Sequence, residues 1–128
     1  MTYQPDLRFP HEWSADCPPA DAIPAEGTVF RICEQESLTV QDFRTYLEMG
    51  KLPDAPPCRR AGLSVFRKRS DAEHRARLQP GFGRIVAKGT LLNEHGVTKQ
   101  TGRPSHTTWW IAEGVDRVSI FSPDGEIT

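Results

Sequence analysis

Apolar and polar residues alternate in short runs along most of this chain, and the runs are rich in β-branched and aromatic residues. Such runs predict β-strands, because successive side chains of a strand point to opposite faces of a sheet. Four are strong strand candidates: Thr28–Cys33, Leu63–Phe66, Arg84–Leu92 and His106–Ala112. Two weaker candidates are Val97–Thr101, expected to continue a hairpin after the turn NEHG, and Val118–Phe121, expected to pair with the last strong strand.

The clearest helical pattern begins at Thr39. Thr39 can cap a helix, and Val40, Phe43 and Leu47 then recur at i, i+3 and i+7, which places them in one apolar stripe. Gly50 suits the end of the helix, because glycine adopts the left-handed conformation there without strain. The pattern predicts a single helix between Thr39 and Gly50.

A second, shorter helix is predicted from Asp71 to about Leu78. Ser70 and Glu73 have the spacing of a capping box, in which each side chain satisfies a free backbone N–H at the helix start. Pro80 stops this helix, because proline lacks a backbone donor. Its apolar stripe is thin, so we expect the helix to lie on the surface.

The order strand, helix, strand, helix and then several strands favours a small α+β domain. We expect a mostly antiparallel, twisted sheet with two short helices over residues 28–128. Residues 1–27 are expected to form an irregular arm, because five prolines in this segment forbid a regular helix or a central strand. Phe9 and Trp13 are expected to anchor the arm to the domain; the alternative is a mobile arm used for binding.

Charge is distributed unevenly, although the formal net charge of the 128 residues is only −1. Residues 58–90 carry 9 positive and 2 negative charges, a net of +7. Residues 1–57 have a net of −6 and residues 91–128 a net of −2. A basic middle between two acidic ends indicates either an anionic partner or contacts between the segments.

The basic residues cluster on both sides of the second predicted strand. Arginine binds phosphate through two oriented hydrogen bonds, and the first turn of a helix offers unpaired N–H groups. We therefore expect an anion-binding surface formed by Arg59, Arg60, Arg67, Lys68, Arg69 and Ser70. Its partner would be the acidic surface of a protein, a nucleic-acid backbone or a phosphate ligand. The alternative is a solvated face that pairs with the acidic amino-terminal half.

The run HTTWW predicts either a core strand or the wall of a ligand pocket. In a strand, His106, Thr108 and Trp110 share one face while Thr107 and Trp109 share the other, so both faces of the sheet are expected to be covered. The structural interpretation is an aromatic core strand. The functional interpretation is a pocket lined by His106 and Trp110, in which a base or ring could stack.

Cysteine usage and hydropathy bear on metal binding, membrane insertion and the cellular compartment. Cys17, Cys33 and Cys58 form no C-x-x-C pair and no two candidate ligands have metal-binding spacing, so we expect no metal site and three reduced thiols. No run approaches the roughly 18 apolar residues of a membrane span, and the amino terminus lacks a signal-peptide pattern. The expected compartment is the cytoplasm.

The order of elements resembles that of the ADP-ribosyltransferase superfamily over roughly residues 29–113. Arg31 lies in TVFRIC, Ser64 lies in GLSVF and Glu113 follows HTTWWIA, which is the order of arginine, serine and glutamate in one class of that superfamily. The resemblance implies an enzyme that uses NAD. Arg31 would hold a phosphate of NAD, Ser64 would support the ribose pocket and Glu113 would stabilise the transition state.

Two functions remain open at this point. The first is a small binding protein that needs no cofactor and whose basic segment, residues 59–77, engages an anionic partner. The second is an NAD-using enzyme of the ADP-ribosyltransferase type, with Arg31, Ser64 and Glu113 in one cleft. The sequence does not decide whether the protein is an enzyme, and it is silent on the oligomeric state.

Overall fold

The computed structural model describes residues 7–102 and 105–127 of the chain. Seven strands form one antiparallel sheet: β1 (Ile23–Pro24), β2 (Gly27–Cys33), β3 (Leu63–Phe66), β4 (Ile85–Leu91), β5 (Gly96–Gln100), β6 (His106–Ile111) and β7 (Phe121–Glu126). Within the described residues there are four α-helices: α1 (Tyr46–Met49), α2 (Pro57–Ala61), α3 (Arg69–Leu78) and α4 (Arg117–Ile120). Three 3₁₀ turns lie at Val40–Phe43, Pro80–Phe82 and Asn93–His95. The expected α+β fold with a mostly antiparallel sheet is confirmed.

The strands lie in the order β1-β5-β6-β3-β2-β4-β7. β2 and β4 pair continuously, from Gly27↔Leu91 to Cys33↔Ile85. β3 pairs with β6 along its whole length but meets β2 at a single pair, Phe30↔Phe66. The sheet therefore opens between β2 and β3 beyond that pair, and this opening positions the candidate site.

The main core lies on one face of the sheet around Trp109, whose side chain is fully buried. Phe121 packs against it with the two ring centroids 6.2 Å apart. On the opposite face, Ala76 of α3 packs with Val86. Trp110 is also buried and belongs to a separate apolar cluster. The expectation that both faces of the HTTWW strand are covered is therefore confirmed.

The predicted single helix between Thr39 and Gly50 is wrong. Val40–Phe43 forms a 3₁₀ turn, and α1 begins separately after Thr45. The cause is a capping box at Thr45: Glu48 N donates to Thr45 Oγ1 at 3.2 Å, and Thr45 N donates to Glu48 Oε1 at 2.8 Å. Gly50, with a φ of 67°, ends α1 as expected.

The long helix α3 begins two residues earlier than predicted, at Arg69, and Ser70 does not cap it. Ser105, which precedes β6, accepts a hydrogen bond on its Oγ from Lys68 N at 3.3 Å. Glu73, expected to complete the capping box, instead forms an ion pair with Arg69 at 3.1 Å. The side chain that accepts from the backbone at the start of α3 therefore comes from a residue distant in sequence.

The weaker candidate Val97–Thr101 is a strand with partners other than the expected one, whereas Val118–Phe121 was wrongly predicted as a strand and is mostly helical. β5 pairs with β6 and β1 rather than with β4. Arg117–Ile120 forms α4, and the strand that follows it, β7, pairs with β4. β4 and β7 are far apart in sequence, and their pairing depends on tertiary packing, which a local pattern of residues does not encode.

The described part of the amino-terminal arm packs against α2 and the sheet. Phe9 and Trp13 stack with ring centroids 5.7 Å apart, in the cluster that contains Cys17. Cys17 forms a disulfide with Cys58 in the first turn of α2, because docking of the arm brings their Cα atoms to 5.5 Å. The expectation of three reduced thiols is therefore wrong, and Cys33 is the free cysteine, buried in the core.

Reduction of the disulfide should lower the free energy of unfolding by about 4 kcal/mol, because the cross-link limits the unfolded chain over a sequence separation of 41. The measurement is urea unfolding with and without dithiothreitol. The double variant Cys17→Ser, Cys58→Ser is the control, since its stability should not respond to dithiothreitol. Equal stability of the unmodified chain in both conditions would contradict the disulfide.

Gly62 joins α2 to β3, and a side chain at this position has no room. A Cβ at Gly62 would overlap Thr108 Cγ2 and lie 3.4 Å from the indole of Trp110, although the φ of −93° suits any residue. Gly62→Ala should lower the free energy of unfolding by about 1–3 kcal/mol, as overpacking does. Gly81→Ala is the matched control, because a Cβ there meets no atom within 4 Å. Equal stability of the two variants in urea would refute this prediction.

Candidate functional site

Arg31 lies where the sheet opens between β2 and β3. Its Nη1 donates to the carbonyl oxygen of Ser64 and its Nε to the carbonyl oxygen of Asp42, both at 2.7 Å. Burial of the guanidinium lowers the pKa of Arg31 from its usual value, but arginine remains protonated at neutral pH. The side chain therefore bridges β3 and the 3₁₀ turn before α1, and it holds the two sides of the opening together.

A pocket of about 540 Å³, here called the arginine pocket, lies beside this opening. Residues of α1, α2, α3, β2, β3 and β6 line it, together with the segments that follow α1 and α3 and residues that follow β5. Its lining combines four arginines, four hydroxyl-bearing or imidazole side chains of the sheet region and an apolar rim. The principal residues are Arg31, Arg59, Arg60, Arg75, Ser64, Thr101, His106, Thr108, Tyr46, Leu52, Phe66 and Phe82.

The positive charge of the arginine pocket is not balanced within it. None of its described lining residues is an aspartate or glutamate. Arg60 is held by a hydrogen bond from its Nε to Lys51 O at 2.9 Å. For Arg59 and Arg75, the described residues provide neither a hydrogen-bond acceptor nor an ion-pair partner for the guanidinium. Both cations are therefore available to a bound anion.

The α2 wall of the pocket is fixed by contacts on its far side. The disulfide ties Cys58 to the docked arm. The indole Nε1 of Trp110 donates to Cys58 O at 2.9 Å. Because α2 has only five residues, these contacts are what hold Arg59 in position.

A chain of hydrogen bonds connects polar side chains within the arginine pocket. Ser64 Oγ lies 3.1 Å from His106 Nε2, and His106 Nδ1 lies 3.1 Å from Thr101 Oγ1. Thr101 Oγ1 in turn lies 2.7 Å from Thr108 Oγ1. The ring of Phe66 meets the imidazole edge to face, with centroids 5.4 Å apart. The imidazole is therefore held at both nitrogens and on its face.

The surroundings of His106 favour the neutral imidazole. Burial lowers its pKa from the usual 6.5, and the positive charges of Arg75 and Arg59 lower it further. Since both nitrogens have hydroxyl neighbours, the neutral ring can donate through one nitrogen and accept through the other.

The structure divides the six residues expected to form one anion-binding surface. Arg59 and Arg60 line the arginine pocket. Arg67 is used internally, since its Nη1 donates to Glu26 O at 2.6 Å, and Arg69 is paired with Asp124 at 2.7 Å. Lys68 and Ser70 are exposed at the start of α3, where neither lines the arginine pocket.

The three residues suggested by the ADP-ribosyltransferase resemblance do not share a cavity. Arg31 and Ser64 both line the arginine pocket. Glu113 lines a different cavity of about 490 Å³, beside the docked arm and the ion pair between Arg117 and Glu48. Of the two residues expected to line a pocket, His106 does so in the arginine pocket, whereas Trp110 is buried in the apolar cluster behind α2.

Arg75, Thr101 and Thr108 were not among the site residues expected from the sequence, although Arg75 lies in the basic segment 59–77 and Thr108 was placed on the same strand face as His106. Arg75 directly precedes Ala76, which α3 buries against the sheet, so its position beside the buried stripe was a usable signal. Thr108 shares a strand face with His106, which the alternation of β6 already indicated. Thr101 had no local signal, because its contact with His106 depends on the loop that joins β5 to β6.

Comparison with protein-family models, with curated proteins and with solved structures finds no match for this chain. Within residues 7–102 and 105–127, no group of three or more His, Cys, Asp or Glu side chains is placed to hold a metal ion. No helix in the described part of the chain is long and apolar enough to cross a membrane.

The double variant Arg59→Ala, Arg75→Ala should raise the pKa of His106 toward 6.5, because it removes the two charges that oppose protonation of the ring. The measurement is an NMR titration of the His106 ring protons. Lys68→Ala is the control, since it removes a charge of the same basic segment outside the pocket and should leave the titration unchanged. A pKa at or above 6.5 in the unmodified protein would contradict the described surroundings of His106.

Proposed function

We propose that this protein binds a small organic anion in the arginine pocket. The observation that supports the proposal is the unbalanced charge: Arg59 and Arg75 have no partner among the described side chains, and no described carboxylate lines the pocket. Guanidinium groups bind phosphate and carboxylate through oriented, charge-assisted hydrogen bonds. A bound anion would relieve the repulsion between the two cations.

The distribution of the basic residues favours a small ligand over an extended surface. Arg67 and Arg69 are engaged with Glu26 O and Asp124, so the segment does not present all its charge to one partner. A volume of about 540 Å³ is in the range of small-molecule sites. A nucleic-acid backbone and the acidic surface of a protein remain alternative partners, and the experiment below distinguishes them.

The rim of the pocket suggests that the anion carries an apolar or aromatic body. Tyr46, Leu52 and Phe82 line the pocket and keep 37%, 54% and 40% of their surfaces exposed. Large apolar side chains left open to solvent beside a polar cavity are typical of a ligand site. A planar group could stack on Tyr46 or Phe82.

The NAD-using activity implied by the ADP-ribosyltransferase resemblance stays an expectation. The shared location of Arg31 and Ser64 favours it, but the separate location of Glu113 does not. The cytoplasmic location is likewise an expectation, and the Cys17–Cys58 disulfide does not favour it, because most disulfides persist in oxidising compartments.

Isothermal titration calorimetry with phosphate, AMP and succinate tests the proposal. We expect at least one of these anions to bind, and Arg59→Ala and Arg75→Ala each to weaken its affinity by about tenfold or more, because each variant loses a charge-assisted hydrogen bond. Absence of binding by all three anions would refute the proposal.

Lys68→Ala is the matched control, because Lys68 belongs to the same basic segment but does not line the pocket. It should keep the unmodified affinity. An equal loss in Lys68→Ala and Arg59→Ala would instead indicate an extended basic surface. Binding to such a surface should also weaken steeply with salt when the partner is a nucleic acid.

A further inference from the structure

We propose that Ser64 and His106 form a nucleophile and general-base pair that cleaves esters carrying an anionic group. The inference rests on the proposed function, because the arginines of the pocket would hold the anionic group of the ester. It assigns an acyl-transfer reaction to the site.

The first argument is the register between β3, which carries Ser64, and β6, which carries His106. Ser64 pairs with Thr108 and Phe66 with His106, so Ser64 and His106 are diagonal neighbours across the β3–β6 ladder. Diagonal neighbours on one face lie within reach of a long side chain, and the distance from Ser64 Oγ to His106 Nε2 is 3.1 Å. This is the distance that proton transfer from a serine nucleophile requires.

The second argument is the support of the imidazole. Thr101 Oγ1, at 3.1 Å from Nδ1, can accept the Nδ1–H proton and donate its own to Thr108. In that arrangement Nε2 is free to accept the proton of Ser64. Thr101 is then a positioning residue, in the place that an orienting acceptor occupies in other serine–histidine pairs.

The third argument concerns the negative charge that develops on the ester oxygen. The N–H and the carbonyl of one residue in a strand point to the same side, and the carbonyl of Ser64 faces Arg31 across the opening. The N–H of Ser64 therefore faces the opening as well, beyond the last β2–β3 pair. It supplies a backbone donor beside the nucleophile, with the guanidinium of Arg31 nearby.

The reaction proceeds in two steps. Ser64 Oγ attacks the carbonyl carbon, its proton passes to His106 Nε2, and the bond from carbon to the alcohol oxygen breaks as that oxygen takes the proton. Water then attacks the acyl-serine, gives a proton to His106 Nε2, and the proton returns to Ser64 as the acid leaves. No change of oxidation state is involved.

A fluorophosphonate probe tests the nucleophile without requiring a known substrate. Intact-protein mass spectrometry and peptide mapping should locate one adduct on Ser64, with loss of fluoride. Ser64→Ala should give no adduct, and His106→Asn should react at least about 100-fold more slowly, because it cannot accept the proton. Ser122→Ala, at an exposed serine of β7, is the control and should label as the unmodified protein does.

The rate of labelling should rise with pH and reach half of its plateau below pH 6.5, since only the neutral imidazole accepts a proton and the pKa of His106 is lowered. The charged groups that face the ring are Arg59 from α2 and Arg75 from α3, and both favour the neutral form. Circular dichroism and urea unfolding confirm that each variant is folded. A folded His106→Asn variant that labels at the unmodified rate, or an adduct located elsewhere, would overturn the proposal.

Ester hydrolysis identifies the substrate class. The mono-4-nitrophenyl ester of succinate should be cleaved with a kcat/KM about tenfold or more above that of 4-nitrophenyl acetate, and Arg59→Ala should remove this preference. Cleavage of 4-nitrophenyl phosphate in place of the esters would overturn the acyl assignment. Anion binding without labelling would reject the nucleophile alone, whereas labelling without anion binding would reject the proposed function and leave the nucleophile.

Discussion

The arrangement of the whole site depends on one partly buried cation, the guanidinium of Arg31. A buried charge is costly unless its donors are satisfied, and arginine cannot escape the cost by losing its proton. Two carbonyl oxygens, of Ser64 and Asp42, satisfy it at 2.7 Å each. They come from β3 and from the turn before α1, so the same contact closes the end of the β2–β3 opening.

The α2 side of the arginine pocket is held in place by different contacts. The five residues of α2 are too few to form a stable helix alone. The disulfide to Cys17, the hydrogen bond from Trp110 to Cys58 O and the close packing of Gly62 over Trp110 hold the helix against the sheet. The irregular arm thereby contributes to the position of Arg59, although none of its described residues lines the pocket.

Local pattern predicted β2 to β6 but missed β1 and most of β7, and it predicted the pairing of the strands poorly. The alternation in TVFRIC and HTTWW identified β2 and β6 and the faces of both tryptophans. It could not show that β7 pairs with β4, that Cys17 meets Cys58, or that Ser105 accepts a hydrogen bond from Lys68 N at the start of α3. Those contacts join residues far apart in sequence. His106 and Ser64 were each recognised separately, but their pairing required the register of β3 on β6.

The same positive electrostatic potential attracts an anion to the arginine pocket and determines how readily His106 is protonated. Arg59 and Arg75 oppose protonation of the imidazole and attract an anion. Coupling between sites is reciprocal, so an anion that neutralises the arginines must also make protonation of His106 easier. Burial and the two arginines favour the neutral ring, which can accept a proton. With an anionic ester bound, the imidazolium formed by that transfer would be stabilised by the substrate's own charge, so the arginines can favour binding without opposing the proton transfer that follows.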